Sequence, residues 1–215
     1  YGMYPDVINN FGNEYEILKN LVSSYLYKDI LALTGIRKSE VLEKILQALA
    51  LQIGSEVSYN EIAQLVGVDK NTVSNYIDLL EKSFVIFRLN SFSRNVRNEI
   101  KANRKIYFYD NGVRNMLIGN FNFLAFRQDK GALWENFLIS ERMKVLSYQN
   151  SMAKPYFWRT TQQQEVDYVE TVADEVNAYE FKWKAKKVKL SKTFSDNYKG
   201  SFTVVTTDNF REFLK

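Results

Sequence analysis

The chain has 215 residues, 46% hydrophobic and 15% aromatic, which is enough apolar surface to build folded cores and excludes a disordered segment. It has no cysteine and no histidine, which excludes disulfides, thiol nucleophiles, the usual zinc sites and a histidine base. Any metal chemistry must use oxygen ligands, which favour magnesium or manganese, and with a net charge of +4 and no apolar run near the ~18 residues of a membrane helix, a cytoplasmic protein is expected.

The sequence starts at Tyr1 rather than Met, which suggests a piece of a longer product. From Asn13 to Leu33, apolar residues at Ile17, Leu18, Leu21, Val22, Tyr25, Leu26 and Ile30 form a helical stripe that Gly35 ends. A second helix is expected from an N-cap at Ser39, through Val41, Leu42, Ile45, Leu46 and Leu49, to a stop at Gly54. Ser58 and Glu61 then make a capping box, Gly67 a turn, and Asp69 the cap of a helix with Val73, Tyr76, Ile77 and Leu80 on one side. Its other side shows Lys70, Asn71, Ser74, Asn75 and Asp78, mostly short polar side chains able to reach phosphates or base edges, although Asp78 is unfavourable there. Strands at Phe84 to Leu89 and Lys105 to Tyr109 flank a loop with Arg94, Arg97, Lys101, Arg104 and Lys105 against Glu99 alone. The ensemble reads as a winged helix-turn-helix with a basic wing, a module that binds DNA, or RNA in its place, or another protein.

A short helix after Asp110-Asn111-Gly112 and a longer one from Gly131 to about Tyr148 follow, the latter with Trp134, Phe137, Leu138 and Val145 on its core side. A strand at Tyr156 to Trp158 precedes the two most informative runs, Glu165-Val166-Asp167-Tyr168-Val169 and Ala178-Tyr179-Glu180-Phe181-Lys182-Trp183. Both alternate with period two, so Glu180 and Lys182 share one sheet face and Asp167 on the neighbouring strand sits opposite them. Two carboxylates and an ammonium on one surface are a means of holding a divalent cation beside a phosphodiester. The lysine-rich stretch Lys182 to Lys192, a strand at Phe202 to Thr206 and a last helix capped by Asp208 complete an α/β module. The fold class is therefore α+β or α/β, divided into a helical linker (1–53), a winged helix (54–120) and an α/β domain (121–215). Trp134, Phe137, Trp158 and Trp183 read as core. The plain structural alternative makes the acid–lysine pairs cross-strand partners and pairs Glu135 with Arg142 or Arg159.

Glu on a helix, Asp on a strand and Glu-x-Lys on the next strand resemble the PD-(D/E)xK restriction-endonuclease-like fold. Across nearly its whole length the chain is similar to the C-terminal region of bacterial and archaeal AAA+-type ATP-binding proteins. The matching pieces are Tyr1-Gly2-Met3-Tyr4-Pro5, Tyr25-Leu26-Tyr27-Lys28-Asp29-Ile30, the helix-turn-helix, Tyr107-Phe108-Tyr109-Asp110-Asn111-Gly112, Trp134-Glu135-Asn136-Phe137, Phe157-Trp158-Arg159 and the two informative strands. The resemblance implies that Asp167 and Glu180 ligate magnesium or manganese, with the Phe181 carbonyl as a third ligand. It implies that Glu135 positions the attacking water and that Lys182 stabilises that nucleophile or the pentacovalent phosphate. It further implies an ATPase domain N-terminal to this region as partner and ATP site, since the chain has no G-x-x-x-x-G-K-[ST] motif. A second reading from the same likeness is a non-catalytic adaptor for that ATPase.

Overall fold

The computed structural model describes residues 1–24, 39–93, 104–184 and 187–215. The chain is α+β, with a seven-stranded mixed sheet, and divides into two compact units. Unit 1 comprises Tyr1–Arg88 and Ile106–Arg127, and unit 2 comprises Leu89–Lys105 and Gln128–Lys215.

Unit 1 contains α1 (Pro5–Asn9), α2 (Glu14–Asn20), α3 (Ser39–Leu51), β1 (Glu56–Val57), α4 (Tyr59–Val66) and α5 (Lys70–Lys82). The strands β2 (Ile86–Ser91) and β3 (Arg104–Phe108) follow, each shared between the units, and then α6 (Asn111–Leu117). Strand order here is β1-β3-β2. The sequence periodicity is realised: Leu42, Ile45, Leu46 and Leu49 of α3 and Val73, Tyr76, Ile77 and Leu80 of α5 are all buried. Local chemistry sets the helix ends. Ser58 Oγ accepts the Glu61 N–H at 3.3 Å, and Asp69 accepts from the Thr72 N–H at 2.9 Å, satisfying donors that an α-helix leaves open. Gly67, between α4 and α5, takes the left-handed conformation (φ 79°) that its lack of Cβ allows. The part of the expected first helix at residues 25–33 lies outside the described residues.

Asp110 does two jobs in this unit. Its Oδ1 caps α6 by accepting the Val113 N–H at 2.9 Å, and its Oδ2 accepts the Met3 N–H at 2.6 Å. Gly112 completes the seat, because a Cβ there would stand 1.6 Å from the Tyr1 carbonyl oxygen. The motif Asp110-Asn111-Gly112 thus begins a helix and also fastens the stretch Tyr1-Gly2-Met3. Arg114 is buried, and its Nε donates to the Ala50 carbonyl at the end of α3, where a helix has unpaired acceptors.

Unit 2 holds the rest of β2 and β3 with α7 (Lys130–Tyr148), β4 (Lys154–Arg159), β5 (Glu165–Val172), β6 (Glu175–Phe181), α8 (Lys192–Asn197), β7 (Phe202–Val205) and α9 (Phe210–Phe213). Its strands run β2-β4-β5-β6-β7. The β4–β5 and β5–β6 pairs are antiparallel, whereas β2–β4 and β6–β7 are parallel. β5 and β6 form a hairpin whose last pair, Val172 with Glu175, closes on a turn with Ala173 at φ 53°. A crossover through α8 makes β7 parallel to β6, as parallel pairing requires. One apolar cluster joins Trp158, Val166, Val169, Val176 and Ala178 to Phe194 of α8. A second set of rings, Tyr168, Tyr179 and Phe181, packs on Phe213 of α9 at centroid distances of 4.9 to 5.7 Å. Arg142 of α7 pairs with buried Glu170 at 2.7 Å and donates to the Phe213 and Lys215 carbonyls, tying the last turn to the sheet. Trp134 and Trp158 are buried, and Phe137 and Trp183 half-buried, as expected of core aromatics. The last helix begins one residue later than expected: Asn209 rather than Asp208 precedes it, with Asn209 Oδ1 accepting the Thr206 N–H at 2.7 Å.

Replacing Asp110 by Ala is expected to lower the unfolding free energy by about 1–3 kcal/mol, since both a cap and a long-range hydrogen bond are lost. Amide exchange at Met3 should accelerate in the same variant. Asp69→Ala should cost about 1 kcal/mol and leave Met3 exchange unchanged, which denaturant melts and hydrogen exchange would measure.

Candidate functional site

The candidate site lies in unit 2 and begins with an irregularity in β5. Between two paired positions, β4 advances two residues, from Tyr156 to Trp158, while β5 advances three, from Val169 to Val166. One extra residue on β5 makes a β-bulge, which breaks the alternation of faces and re-aims a side chain. Burial shows the effect. Val166 and Val169, three apart, belong to the same apolar cluster, although a regular pleat would place them on opposite faces.

Asp167 is inside this bulge. Its Oδ2 accepts the Phe181 N–H of β6 at 2.7 Å, so the carboxylate is fixed to the neighbouring strand. Lys182 follows β6 directly, and its own N–H donates to the Val205 carbonyl of β7 at 2.9 Å, which holds its backbone in the ladder. From there its Nζ reaches Glu180 Oε1 at 2.7 Å and Asp167 Oδ2 at 3.9 Å. The three side chains singled out by the strand pattern therefore converge.

Glu135, near the start of α7, pairs with a cation that was not weighed for it. Lys105 takes that place, with Nζ 3.1 Å from Glu135 Oε1 and 2.5 Å from Glu165 Oε1. Lys105 is a correction to the sequence reading, which counted it in the exposed basic loop: its side chain is 2% exposed. Arg159 stands 3.8 Å from Glu165, and Arg142 belongs to Glu170. No sequence pattern marks Lys105 or Glu165 as partners, because they are sixty residues apart and on strands that are not neighbours in the sheet order. A hint was available in the strand itself. Lys105 opens the run Lys-Ile-Tyr-Phe, whose other members are all buried.

The electrostatics follow from this crowding. Burial, then the charges of Glu135 and Glu180, push the Asp167 carboxyl up to about 7, against the Phe181 N–H and Lys182, which favour the ionised form. Burial pulls the Lys182 ammonium down, but the Glu180 hydrogen bond and the charges of Asp167, Glu180 and Glu135 outweigh it, so Lys182 titrates above an ordinary lysine. Lys105 behaves alike, with burial overcome by Glu135 and Glu165. Two cations stay charged while one acid holds its proton near neutrality.

The oxygen donors of Asp167 and Glu180 suit a hard divalent cation, and repulsion between carboxylates is what such an ion relieves. Among the described residues, however, no group of three acidic side chains is placed to hold a metal ion. The fit is to two carboxylates, with Glu135 taken up by Lys105.

The nucleic-acid candidates are placed less completely. Lys70, Asn71 and Asn75 are exposed on α5, Ser74 is half-buried beside them, and Arg104 is half-buried at the start of β3. Arg94, Arg97 and Lys101 lie outside the described residues. Asp78, unfavourable on such a face, is 2.7 Å from Arg88 Nη1, and Arg88 Nε also donates to Glu81 at 2.8 Å. One arginine thus offsets two acids of α5. Exposed Lys184, Lys187, Lys189 and Lys192 accompany the crossover after β6. No helix among the described residues is long and apolar enough to cross a membrane.

Comparison with known proteins gives two adjoining matches. Residues 1–123 match a family model described as a domain of unknown function, DUF8612, and residues 130–213 match a second such domain, DUF4143. An uncharacterized protein of Haemophilus influenzae is 25% identical over 184 residues, 82% of this chain and 42% of the relative. One of Mycobacterium tuberculosis is 31% identical over 153 residues, 69% of this chain and 34% of the relative. One of Methanocaldococcus jannaschii is 26% identical over 149 residues, 66% of this chain and 32% of the relative. The chain therefore spans between 32% and 42% of the length of these relatives. No solved structure matches it.

The raised Asp167 pKa carries a stability consequence. In the folded chain Asp167 holds its proton to about pH 7, whereas in the unfolded chain it loses it near the ordinary value of about 4. Stability therefore falls as pH rises from about 4 to 7, and the whole cost is present above 7. Asp167→Asn, which keeps an acceptor for Phe181, is expected to be more stable than wild type by a few kcal/mol at pH 8, roughly 1.4 kcal/mol per unit of pKa difference. The gain should fade towards pH 4, and chemical denaturation at a series of pH values would measure it.

Proposed function

This chain belongs to the DUF8612 family, and we propose that it is the C-terminal part of an AAA+-type ATP-binding protein, with a PD-(D/E)xK nuclease-like module in unit 2. The observation that carries this reading is the convergence of Asp167, Glu180 and Lys182 at the bulged end of β5 and the end of β6, with Asp167 and Lys182 held by hydrogen bonds to the backbone of neighbouring strands and Glu180 by the Lys182 ammonium. Asp167 and Glu180 would hold magnesium or manganese. Such an ion supplies Lewis acidity towards a phosphodiester oxygen and makes water a better nucleophile. The chain's own residues do the remainder. Lys182, kept charged by its three acidic neighbours, offsets charge that builds on phosphate. Glu135 is held next to that centre and is able to orient water.

Unit 1 would hold the nucleic acid. α4, the Gly67 turn and α5 make a helix-turn-helix, and β2 with β3 supplies the strands of a wing, so α5 presents Lys70, Asn71, Ser74 and Asn75 in its first two turns. With Asp78 and Glu81 offset by Arg88, the cost of bringing phosphate to this helix is reduced. The matched relatives extend well beyond the aligned region, which leaves room in them for a nucleotide-binding domain. A second reading has one observation in its favour: every carboxylate of the cluster already meets an ammonium or a backbone N–H, as a purely structural ion-pair network would. In that case the chain is a non-catalytic adaptor for the ATPase.

Manganese titration by calorimetry distinguishes the two. The nuclease-like reading expects a binding heat that Asp167→Ala abolishes, together with metal-dependent cleavage of DNA; no heat on the wild-type chain would leave the adaptor. Retention of duplex DNA is expected to weaken in Lys70→Ala similarly for all sequences, with the slope of log affinity against log salt reduced by about one.

A further inference from the structure

Unit 1 carries an aromatic surface that none of the steps above uses. Phe123 and Phe126 are 82% and 81% exposed, the reverse of what the hydrophobic effect favours for a phenyl ring. Loose backbone is not the reason. The two residues bracket a single 3-10 turn, in which the Phe126 N–H donates to the Phe123 carbonyl at 2.9 Å. The next residue, Arg127, is buried and donates to the Asn120 carbonyl at 2.8 Å and to Asn115 Oδ1 of α6 at 2.9 Å. The backbone on both sides of the turn is thereby bound to the folded unit, while its two rings stand in water.

The surface begins at Phe121. Tyr1 stacks on that ring with centroids 5.2 Å apart, and Tyr15 of α2 meets it edge-on at 5.5 Å. Tyr1 and Tyr15 are themselves exposed, although Asp110 and Gly112 fix the backbone of Tyr1-Gly2-Met3. Rings held outward on fixed backbone are the kind of anchor that protein interfaces use, because little freedom is lost when a partner covers them. Charge narrows the choice of partner. The stretch Tyr1 to Ser24 holds Asp6, Glu14 and Glu16 against Lys19 alone, in a chain whose net charge is +4. Acidic surroundings oppose a nucleic acid and favour an apolar protein face bordered by basic residues.

A polypeptide to supply that face is at hand. The matched regions cover 42% and 34% of two longer relatives, so more than half of each relative lies outside the match. Tethered to this chain, such a portion meets the surface at the high effective concentration of an intramolecular contact. A polypeptide continuing ahead of Tyr1 would leave from within the aromatic surface itself. Resting on the reading that this chain is part of a longer protein, and not on the nuclease-like reading, we propose that Tyr1, Tyr15, Phe121, Phe123 and Phe126 form the docking surface for the remainder of that polypeptide.

Hydroxyl-radical footprinting of the full-length protein and of the 215-residue chain tests this. Phe123 and Phe126 are expected to be oxidised several-fold more slowly in the full-length protein. The double substitution Phe123→Ser with Phe126→Ser should there bring oxidation of Tyr1 and Tyr15 up to the rate seen in the chain alone. Both replaced rings are exposed, so the circular dichroism of the chain should not change, and the wild-type comparison needs no substitution at all. Equal oxidation of Phe123 and Phe126 in the two proteins would overturn the proposal. So would slow oxidation in the chain alone together with a dimer in sedimentation, which would make a second copy the occupant. A full-length protein no longer than this chain is a separate failure, of the longer-protein reading, and it removes the occupant as well.

Discussion

Three carboxylates gathered beside a sheet, with little water to screen them, set the terms for unit 2. Glu135, Asp167 and Glu180 repel one another, and at short range in a poorly polarisable interior that repulsion is large unless cations or protons intervene. The chain uses both remedies. Lys182 pairs with Glu180 and Asp167, Lys105 pairs with Glu135, and Asp167 retains a proton near neutral pH. A surface cluster of the same residues would not need either lysine so close, because water would do most of the work. Their depth is what turns ordinary strand charges into a site with a perturbed proton affinity, and such perturbation is more frequent in functional centres than elsewhere.

Backbone architecture supplies the rigidity that this arrangement needs. The bulge in β5 brings Asp167 out of strict alternation, and the Phe181 N–H then fixes the carboxylate to β6. Lys182 lies past the last residue of β6, where a chain end would fray, but β7 continues the ladder beneath it through the Val205 carbonyl. The crossover through α8 is what allows β7 to run parallel there. It requires close approach of the returning chain, and Gly200 permits it, since a Cβ at that position would lie 1.8 Å from the Val176 carbonyl oxygen. The same economy appears in unit 1, where Asp110 caps α6 and fastens Met3 with its two oxygens.

What the sequence made legible was local chemistry and regular periodicity. Ser58 with Glu61, Gly67 and Asp69 could be placed because caps and left-handed turns depend on residues within a few positions. The buried faces of α3 and α5, and the pairing of Glu180 with Lys182, follow from periods of 3.6 and 2. Lys105 escaped because its burial depends on Glu135 and Glu165, thirty and sixty residues away, while its neighbours in sequence are basic and pointed to a solvated loop. The bulge escaped because a template of strict alternation has no place for an extra residue. Asp167 and Glu180 both lie close to Lys182, although the strict alternation from which that neighbourhood was expected is broken at Asp167. Asp208 was one residue from the group that does bond at the start of α9, Asn209, since both can cap and only the backbone geometry chooses.

The position of the cluster on the sheet also bears on what could reach it. Lys182 is 32% exposed, about twice as open as Glu180 and Asp167 at 16% each, so of these three side chains the lysine shows the largest fraction of its surface to solvent. Exposed Lys184, Lys187, Lys189 and Lys192 on the chain that follows add to its positive charge. Had the acids been the more exposed, the cluster would repel an anion and attract only small cations. On the proposed nuclease-like reading, the more exposed lysine would favour an incoming anion and leave the carboxylates for a cation, the order of charges that a phosphodiester and a divalent ion would need if they shared one site. A network of ion pairs whose sole task was to stabilise the fold would be under no pressure to adopt that order, nor to leave Asp167 as the member whose proton is in question at neutral pH.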